Sequence, residues 1–309
     1  MSDPAQEHLA RGIASARAGR LEEAEAQYRI TLSLHPDNAP ARYRLGCLFL
    51  RQEKADEAVA ELREAARLDP HLRNTYSQLG HALKRLGRYD EAIAAYRAEL
   101  EFEPLCAAAY SNMGLAYQEK GDLFVAVAHY RKALDFNPDY ALAHSNLGIA
   151  LFLQGDVDAA IAEQREAVRL DPALAKAHFN LGNALSHKEG CEPALNAFQE
   201  AVRLAPQMAV AHSRLADVLA AAGRQDEAIA EYRQAIYLDP EYAQSWVSLG
   251  ANLFLRAATE KSSHAAEAAR GAFEQALKLD PHNQDAVGLL RDVNKTLRPR
   301  IKLPRLRRK

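Results

Sequence analysis

The sequence predicts an all-α solenoid of eight helix-turn-helix repeats closed by a C-terminal capping helix. Three observations carry that expectation. Proline recurs every 34 residues, small residues recur in the same register, and apolar residues inside each period fall at helical spacing.

The prolines are Pro36, Pro70, Pro104, Pro138, Pro172, Pro206 and Pro240, each 34 residues from the last; Pro281 follows after 41, so the final repeat carries a seven-residue insertion. Small residues stand at Gly12, Gly46, Gly80, Gly114, Gly148, Gly182, Ala216 and Gly250. Alanine stands at Ala24, Ala58, Ala92, Ala126, Ala160, Ala194, Ala228 and Ala269. Four residues further on comes a bulky side chain (Tyr28, Leu62, Tyr96, Tyr130, Phe198, Tyr232 or Phe273), with Gln164 the exception.

One period shows how these marks build a hairpin. Tyr110, Met113, Gly114 and Tyr117 share one face of a first helix. Gly121 ends that helix, because glycine takes the left-handed C-terminal conformation cheaply. Ala126, Tyr130 and Ala133 line a second helix, which stops at Asn137-Pro138. The small residues let two helices approach, and the aromatics are expected to fill the space between repeats.

The period resembles the tetratricopeptide repeat, whose pattern has an aromatic, Leu-Gly, Tyr, Ala, Phe or Tyr, Ala and Pro at these spacings. AAAYSNMGLAYQEKGDLFVAVAHYRKALDFNP, residues 107–138, matches nearly every position. The resemblance covers almost the whole chain and implies a right-handed superhelix over residues 1–297. Its repeats are 5–38, 39–72, 73–106, 107–140, 141–174, 175–208, 209–242 and 243–283, with a cap helix at 284–297 and a basic tail at 298–309.

Departures from the pattern are informative. His8 and Arg11 replace the aromatic and Leu of repeat one, as suits a solvated terminal repeat. Glu99 stands where the other repeats have Ala or Thr, and is expected to be partly exposed or paired with an arginine. The insertion near 257–265 is expected to lengthen the helices of repeat eight or their connection. Val287, Leu290 and Val293 are the expected buried stripe of the cap helix, which is also a candidate to cover Phe254 and Leu255.

Composition narrows the function classes. With 48% hydrophobic and 26% charged residues, the chain has the make-up of a folded protein and not of a disordered one. Residues 298–309 hold seven Lys or Arg and no acid, which leaves the remainder at −9 against a total of −2. An acidic body argues against a nucleic-acid-binding solenoid and places any polyanion contact, whether acidic protein, membrane surface or nucleic acid, at the tail. The N-terminal MSDPAQEHLARG has no apolar run after a basic start, and no stretch approaches the roughly 18–20 apolar residues that cross a bilayer. Cys47, Cys106 and Cys191 are few and far apart, as expected in the reducing cytoplasm.

No catalytic constellation emerges, and neither an enzyme nor a cofactor is expected. His144, His178 and His212 recur at 34-residue spacing at the aromatic position of the repeat. Equivalent positions in adjacent repeats lie about 10 Å apart, whereas a zinc ion holds its ligands at about 2.0–2.1 Å, so they are read as packing residues. Glycine-rich phosphate loops and zinc or nucleophile motifs are missing.

The expectation is therefore a protein-interaction scaffold. By the family resemblance, repeat positions 2, 5, 6, 9, 12 and 13 face a concave groove that binds an extended peptide. Position 6 carries Asn112, Asn146 and Asn180, flanked by Gln78 and Arg214. Such amides pair with a peptide backbone whatever its sequence, and the run is similar to the asparagine ladder of O-linked N-acetylglucosamine transferase. An accessory role beside a glycosyltransferase is one alternative; recruitment through the basic tail is another. An apolar stretch comprises Leu115, Leu142, Ile149, Phe152 and Leu153, and a basic group comprises Arg44, Arg51, His81, Lys84 and Arg85, with Arg17 near it. The first suits a partner's apolar side chain and the second its carboxylates.

Overall fold

The computed structural model describes residues 3–297, which form seventeen helices. The chain divides at Asp156/Val157 into two compact bodies. In the N-terminal body the helices are α1 (Pro4–Arg17), α2 (Leu21–Leu34), α3 (Ala39–Arg51), α4 (Ala55–Leu68), α5 (Thr75–Arg85), α6 (Tyr89–Phe102), α7 (Ala107–Lys120), α8 (Leu123–Phe136) and α9 (Ala141–Leu153). The C-terminal body holds α10 (Val157–Leu170), α11 (Ala175–Lys188), α12 (Cys191–Leu204), α13 (Ala209–Ala221), α14 (Gln225–Leu238), α15 (Ala243–Glu260), α16 (Ser263–Leu279) and α17 (Gln284–Leu297). No strand occurs among the described residues; each body is an all-α repeat solenoid.

Local chemistry sets the helix ends. Asn38, Ser262 and Asn283 cap α3, α16 and α17 by accepting the backbone N–H three residues on. Acidic pairs open α2, α4, α6 and α14, where they meet the positive end of the helix dipole. Gly121 ends α7 at φ 98°, as the sequence predicts. Between repeats the Asp or Asn before proline folds back on the backbone: Asp69, Asn137, Asp171, Asp239 and Asp280 each accept the N–H two residues later.

The aromatic residues extend one expectation. Tyr110 joins Leu100 of the preceding repeat and Ala143 of the next in one apolar cluster, while the rings of the second helices fill space inside their own hairpins. A Cβ on Gly114 would lie 2.7 Å from Tyr130 Cε1, and one on Gly80 would lie 2.5 Å from Tyr96 Cε1. The Tyr130 and Tyr96 rings therefore rest on the bare backbone of their own first helices. The phenol of Tyr130 reaches past it to donate to Gln118 Oε1 at 3.2 Å, and that of Tyr232 donates to Asp217 Oδ1 at 2.7 Å.

Each second helix then packs on the first helix of the next repeat: α2 on α3, α4 on α5, α6 on α7 and α8 on α9, and likewise α10 on α11, α12 on α13 and α14 on α15. First helices also touch one another at α1/α3, α3/α5, α7/α9, α11/α13 and α13/α15, closer than any pair of second helices among the described residues. Within each body the first helices thus line the inner side.

A further periodic tie involves the histidines. Nε2 of His144, His178 and His212 lies 2.9, 3.1 and 3.0 Å from the carbonyls of Pro138, Pro172 and Pro206, six residues back in each case. The indole of Trp246 donates to Pro240 in the same way at 3.0 Å, and Arg42 Nε to Pro36 at 3.1 Å. The histidine ladder is a set of turn latches. His212 is held at both ring nitrogens: Nδ1 lies 2.6 Å from the Glu231 carboxylate, so both nitrogens face acceptors and the doubly protonated ring satisfies both.

The repeat-eight insertion lengthens both helices, to 18 residues in α15 and 17 in α16. Cap helix α17 buries Ala286 and Val293, whereas Val287 and Leu290 stay half-buried beside Leu277 in an open groove. The seven-residue step from 286 to 293 keeps one face on α16, and the other two residues fall on its flank. Leu255 remains exposed, so the cap does not cover it. Among the described residues no helix is long and apolar enough to cross a membrane.

Two outcomes follow. Gly114→Val forces the Tyr130 ring aside and is expected to cost about 1–3 kcal/mol, as overpacking does. Hydrogen exchange in α7 and α8 is the local readout; unchanged protection there would contradict the ring-on-backbone contact. The second concerns pH. The Glu231 hydrogen bond holds the His212 pKa above its ordinary value. A raised pKa means that the stabilisation is complete below the unfolded value near 6.5 and is lost as pH rises through the folded value. Urea melts of the chain and of His212→Gln at about pH 6 and pH 8 should differ in that direction, the histidine's advantage shrinking at the higher pH.

Candidate functional site

The amide positions lie on first helices. Gln78, Asn112 and Asn146 occupy equivalent places on α5, α7 and α9, all half-buried, and none of their side chains has a hydrogen-bond partner among the described residues. Asn180 holds the same register on α11 of the C-terminal body, again half-buried and unpartnered. Arg214 follows on α13, exposed, with its guanidinium 3.3 Å from Asp217. A half-buried amide without a partner keeps two donors and an acceptor for a ligand backbone.

The basic group reads differently in three dimensions. Arg51 Nη1 donates to the carbonyl of Ala16 at 3.0 Å, and Arg85 Nη1 to that of Leu50 at 2.8 Å. Each guanidinium caps the C-terminal carbonyls of the preceding first helix, where the dipole favours a cation. Lys84, only 15% exposed, pairs with Glu119 at 2.7 Å. Three of the four arginines and lysines expected to greet an acidic peptide therefore tie neighbouring repeats together. Arg44 keeps its charge free of any ion pair among the described residues, and His81 stays exposed beside Lys84 and Arg85. Partial desolvation of the ring against its neighbours, and then those two positive charges, hold the His81 pKa below its usual range.

The apolar stretch divides as well. Leu115, Ile149 and Phe152 are half-buried, while Leu142 and Leu153 are exposed. Leu153, 57% exposed, lines a cavity of about 380 Å³ with the α7–α8 turn and with Phe124 and Val125. None of the other four residues lines it.

Phe124 is a feature that sequence reasoning missed. It is 83% exposed at the start of α8. A signal was present: the equivalent residues Glu22, Asp56, Asp90, Asp158, Glu192 and Asp226 are all acids. Among the described residues no group of three or more His, Cys, Asp or Glu is placed to hold a metal ion. The tail at 298–309 lies outside the described residues.

Hairpins of this length, stacked neighbour on neighbour with first helices inward, define a helical-repeat protein. The description "Tetratricopeptide repeat" matches residues 9–72 and 111–175, and the description "TPR repeat" matches 80–121 and 216–254, together more than half of the chain. The chain belongs to the tetratricopeptide-repeat family. No curated protein matches it.

Solved structures share the fold. YrrB, a tetratricopeptide-repeat protein with an unusual peptide-binding site, aligns with 63% of this chain and 96% of its own at 23% identity and a TM-score of 0.52. PilF of Pseudomonas aeruginosa aligns with 71% and 97% at 22% identity and a TM-score of 0.63. The Cut9-Hcn1 hetero-tetramer of the APC/C aligns with 93% of this chain and 55% of its own at 16% identity and a TM-score of 0.66. At these identities the likeness is one of fold.

Phe124→Asp restores the acid at the start of α8 and is expected to raise stability by about 0.3–1 kcal/mol. A thermal melt followed by circular dichroism checks this. A lowered midpoint would show that the exposed ring packs in a contact worth more than the dipole term.

Proposed function

We propose that this chain is a protein-interaction scaffold that holds an extended segment of a partner protein along the inner face of its first helices. The observation that carries the reading is the set of unpartnered amides at one register, Gln78, Asn112 and Asn146 on successive first helices. Asn180 and Arg214 hold the matching register in the C-terminal body. Amide-to-backbone pairing supplies affinity without demanding a sequence. Leu115, Ile149 and Phe152 add an apolar contact, and Arg44 offers a charge to an acidic side chain. The peptide-binding site of YrrB supports this reading.

In this reading the work of the chain is binding, with no catalytic step and no cofactor. Residues 1–297 are taken as the repeat array and 298–309 as a basic tail outside it.

Affinity capture with mass spectrometry identifies the partner, and a peptide scan identifies its segment. Each net hydrogen bond is worth about 0.5–1.5 kcal/mol, so Gln78/Asn112/Asn146→Ala should weaken that segment at least about tenfold with helicity unchanged. Undiminished affinity of a well-folded triple variant would sink the amide reading.

A further inference from the structure

The turn that opens repeat three differs from the others. Helix α5 begins at Thr75, two residues later than its register predicts, and Asn74 before it sits in the left-handed region at φ 63°. Behind the turn lies Glu99, at the position held by Thr31, Ala65, Ala133, Ala167, Ala201, Ala235 or Ala276 elsewhere. The expected exposed or arginine-paired carboxylate is neither. Glu99 is 8% exposed, and its bond is to Ser77, whose hydroxyl donates to Oε2. Its other oxygen, Oε1, has no hydrogen-bond partner among the described residues.

Glu99 lines a cavity of about 40 Å³. Tyr76 and Phe102 wall it, their rings stacked at 5.9 Å, with the His71 ring edge-on to Phe102 at 4.7 Å. Glu103 adds a second carboxylate to the lining. The one lysine or arginine in that lining, Arg73, is 82% exposed and sits 3.4 Å from Glu103, so its charge is already matched. Burial raises the Glu99 pKa against the opposing Ser77 bond, and the negative charge of Glu103 adds to the rise. A buried carboxylate with an idle oxygen is costly unless a donor or a cation meets it. Aromatic faces attract cations.

Donor chemistry selects among cations. The idle carboxylate oxygen calls for an N–H, which a primary ammonium supplies three times over and a quaternary ammonium not at all. A guanidinium offers its donors only in a fixed planar fork.

We propose that this cavity binds a primary ammonium group, which donates to Glu99 Oε1 beside the stacked Tyr76 and Phe102 rings. The source is a lysine of a partner protein or a small free amine. The site shares no residue with the amide face, so either can fail without the other.

The test is an NMR titration of the full chain with methylammonium chloride, Nα-acetyl-lysine amide and tetramethylammonium chloride at constant ionic strength. The first two should give saturable shifts at the Tyr76, Ser77 and Glu99 amides, and the third should not. Tighter binding of the lysine amide assigns the site to a protein side chain; equal or weaker binding assigns it to free amines. Glu99→Gln keeps the shape, removes the charge and should weaken binding at least tenfold. Phe102→Leu keeps the carboxylate, removes one wall and should also weaken it. Equal response to tetramethylammonium, no saturable shift, or full binding by Glu99→Gln would overturn the proposal.

Discussion

The contact between a bulky side chain on the second helix and the bare backbone of the first, made in six of the eight hairpins, sets the spacing on which the rest of this molecule depends. Tyr28 on Gly12, Tyr96 on Gly80, Tyr130 on Gly114, Phe198 on Gly182 and Phe273 on Gly250 all place ring carbons where a Cβ would stand, and Leu62 does the same on Gly46. An α-helix pair normally sits 8–10 Å apart, depending on the side chains between. Removing one Cβ lets a large ring act as the spacer without pushing the helices apart. With that distance repeated, the alanines at 24, 58, 92, 126, 160, 194, 228 and 269 are fully buried, and the next first helix docks in a constant way. The proline-carbonyl latches and the arginine caps are geometric consequences. Each needs the preceding turn or helix end at a fixed reach.

That repetition explains what the sequence made legible. Every hairpin solves the same packing problem, so the same residue type returns at the same place, and register alone reveals helices, turns and inner face. The fates of long side chains are another matter. Arg51 and Arg85 were expected in the groove because their register points there. Their guanidiniums instead reach carbonyls 35 residues back in the chain. Register gives the direction of a Cα–Cβ bond; whether a flexible side chain then meets solvent or a neighbour's helix end depends on distances that no single-repeat pattern contains. Glu99 was misread for a related reason. Its partner is the hydroxyl of Ser77, a short group whose reach becomes decisive only once α5 and α6 are packed.

Phe124 teaches the reverse lesson. Its signal lay in the sequence, since other repeats place an acid there, but it appears only when a position is compared down the repeats instead of along one helix. Acid at that place is favoured by the helix dipole and by water, so an exposed phenylalanine forgoes both.

The same comparison separates structure from function in an array of this kind. Residues that satisfy the common packing are explained by it, which covers the rings, the alanines, the turn latches and most of the cations. What packing does not explain is what it leaves unsatisfied. Gln78, Asn112, Asn146 and Asn180 hold polar capacity that nothing among the described residues uses. Glu99 replaces a methyl group with a buried carboxylate and gives up the regular start of α5 beside it. A stack of identical hairpins has no need of either feature. In a fold whose stability comes from sameness, a departure that leaves polar capacity unused inside the chain points to a ligand outside it.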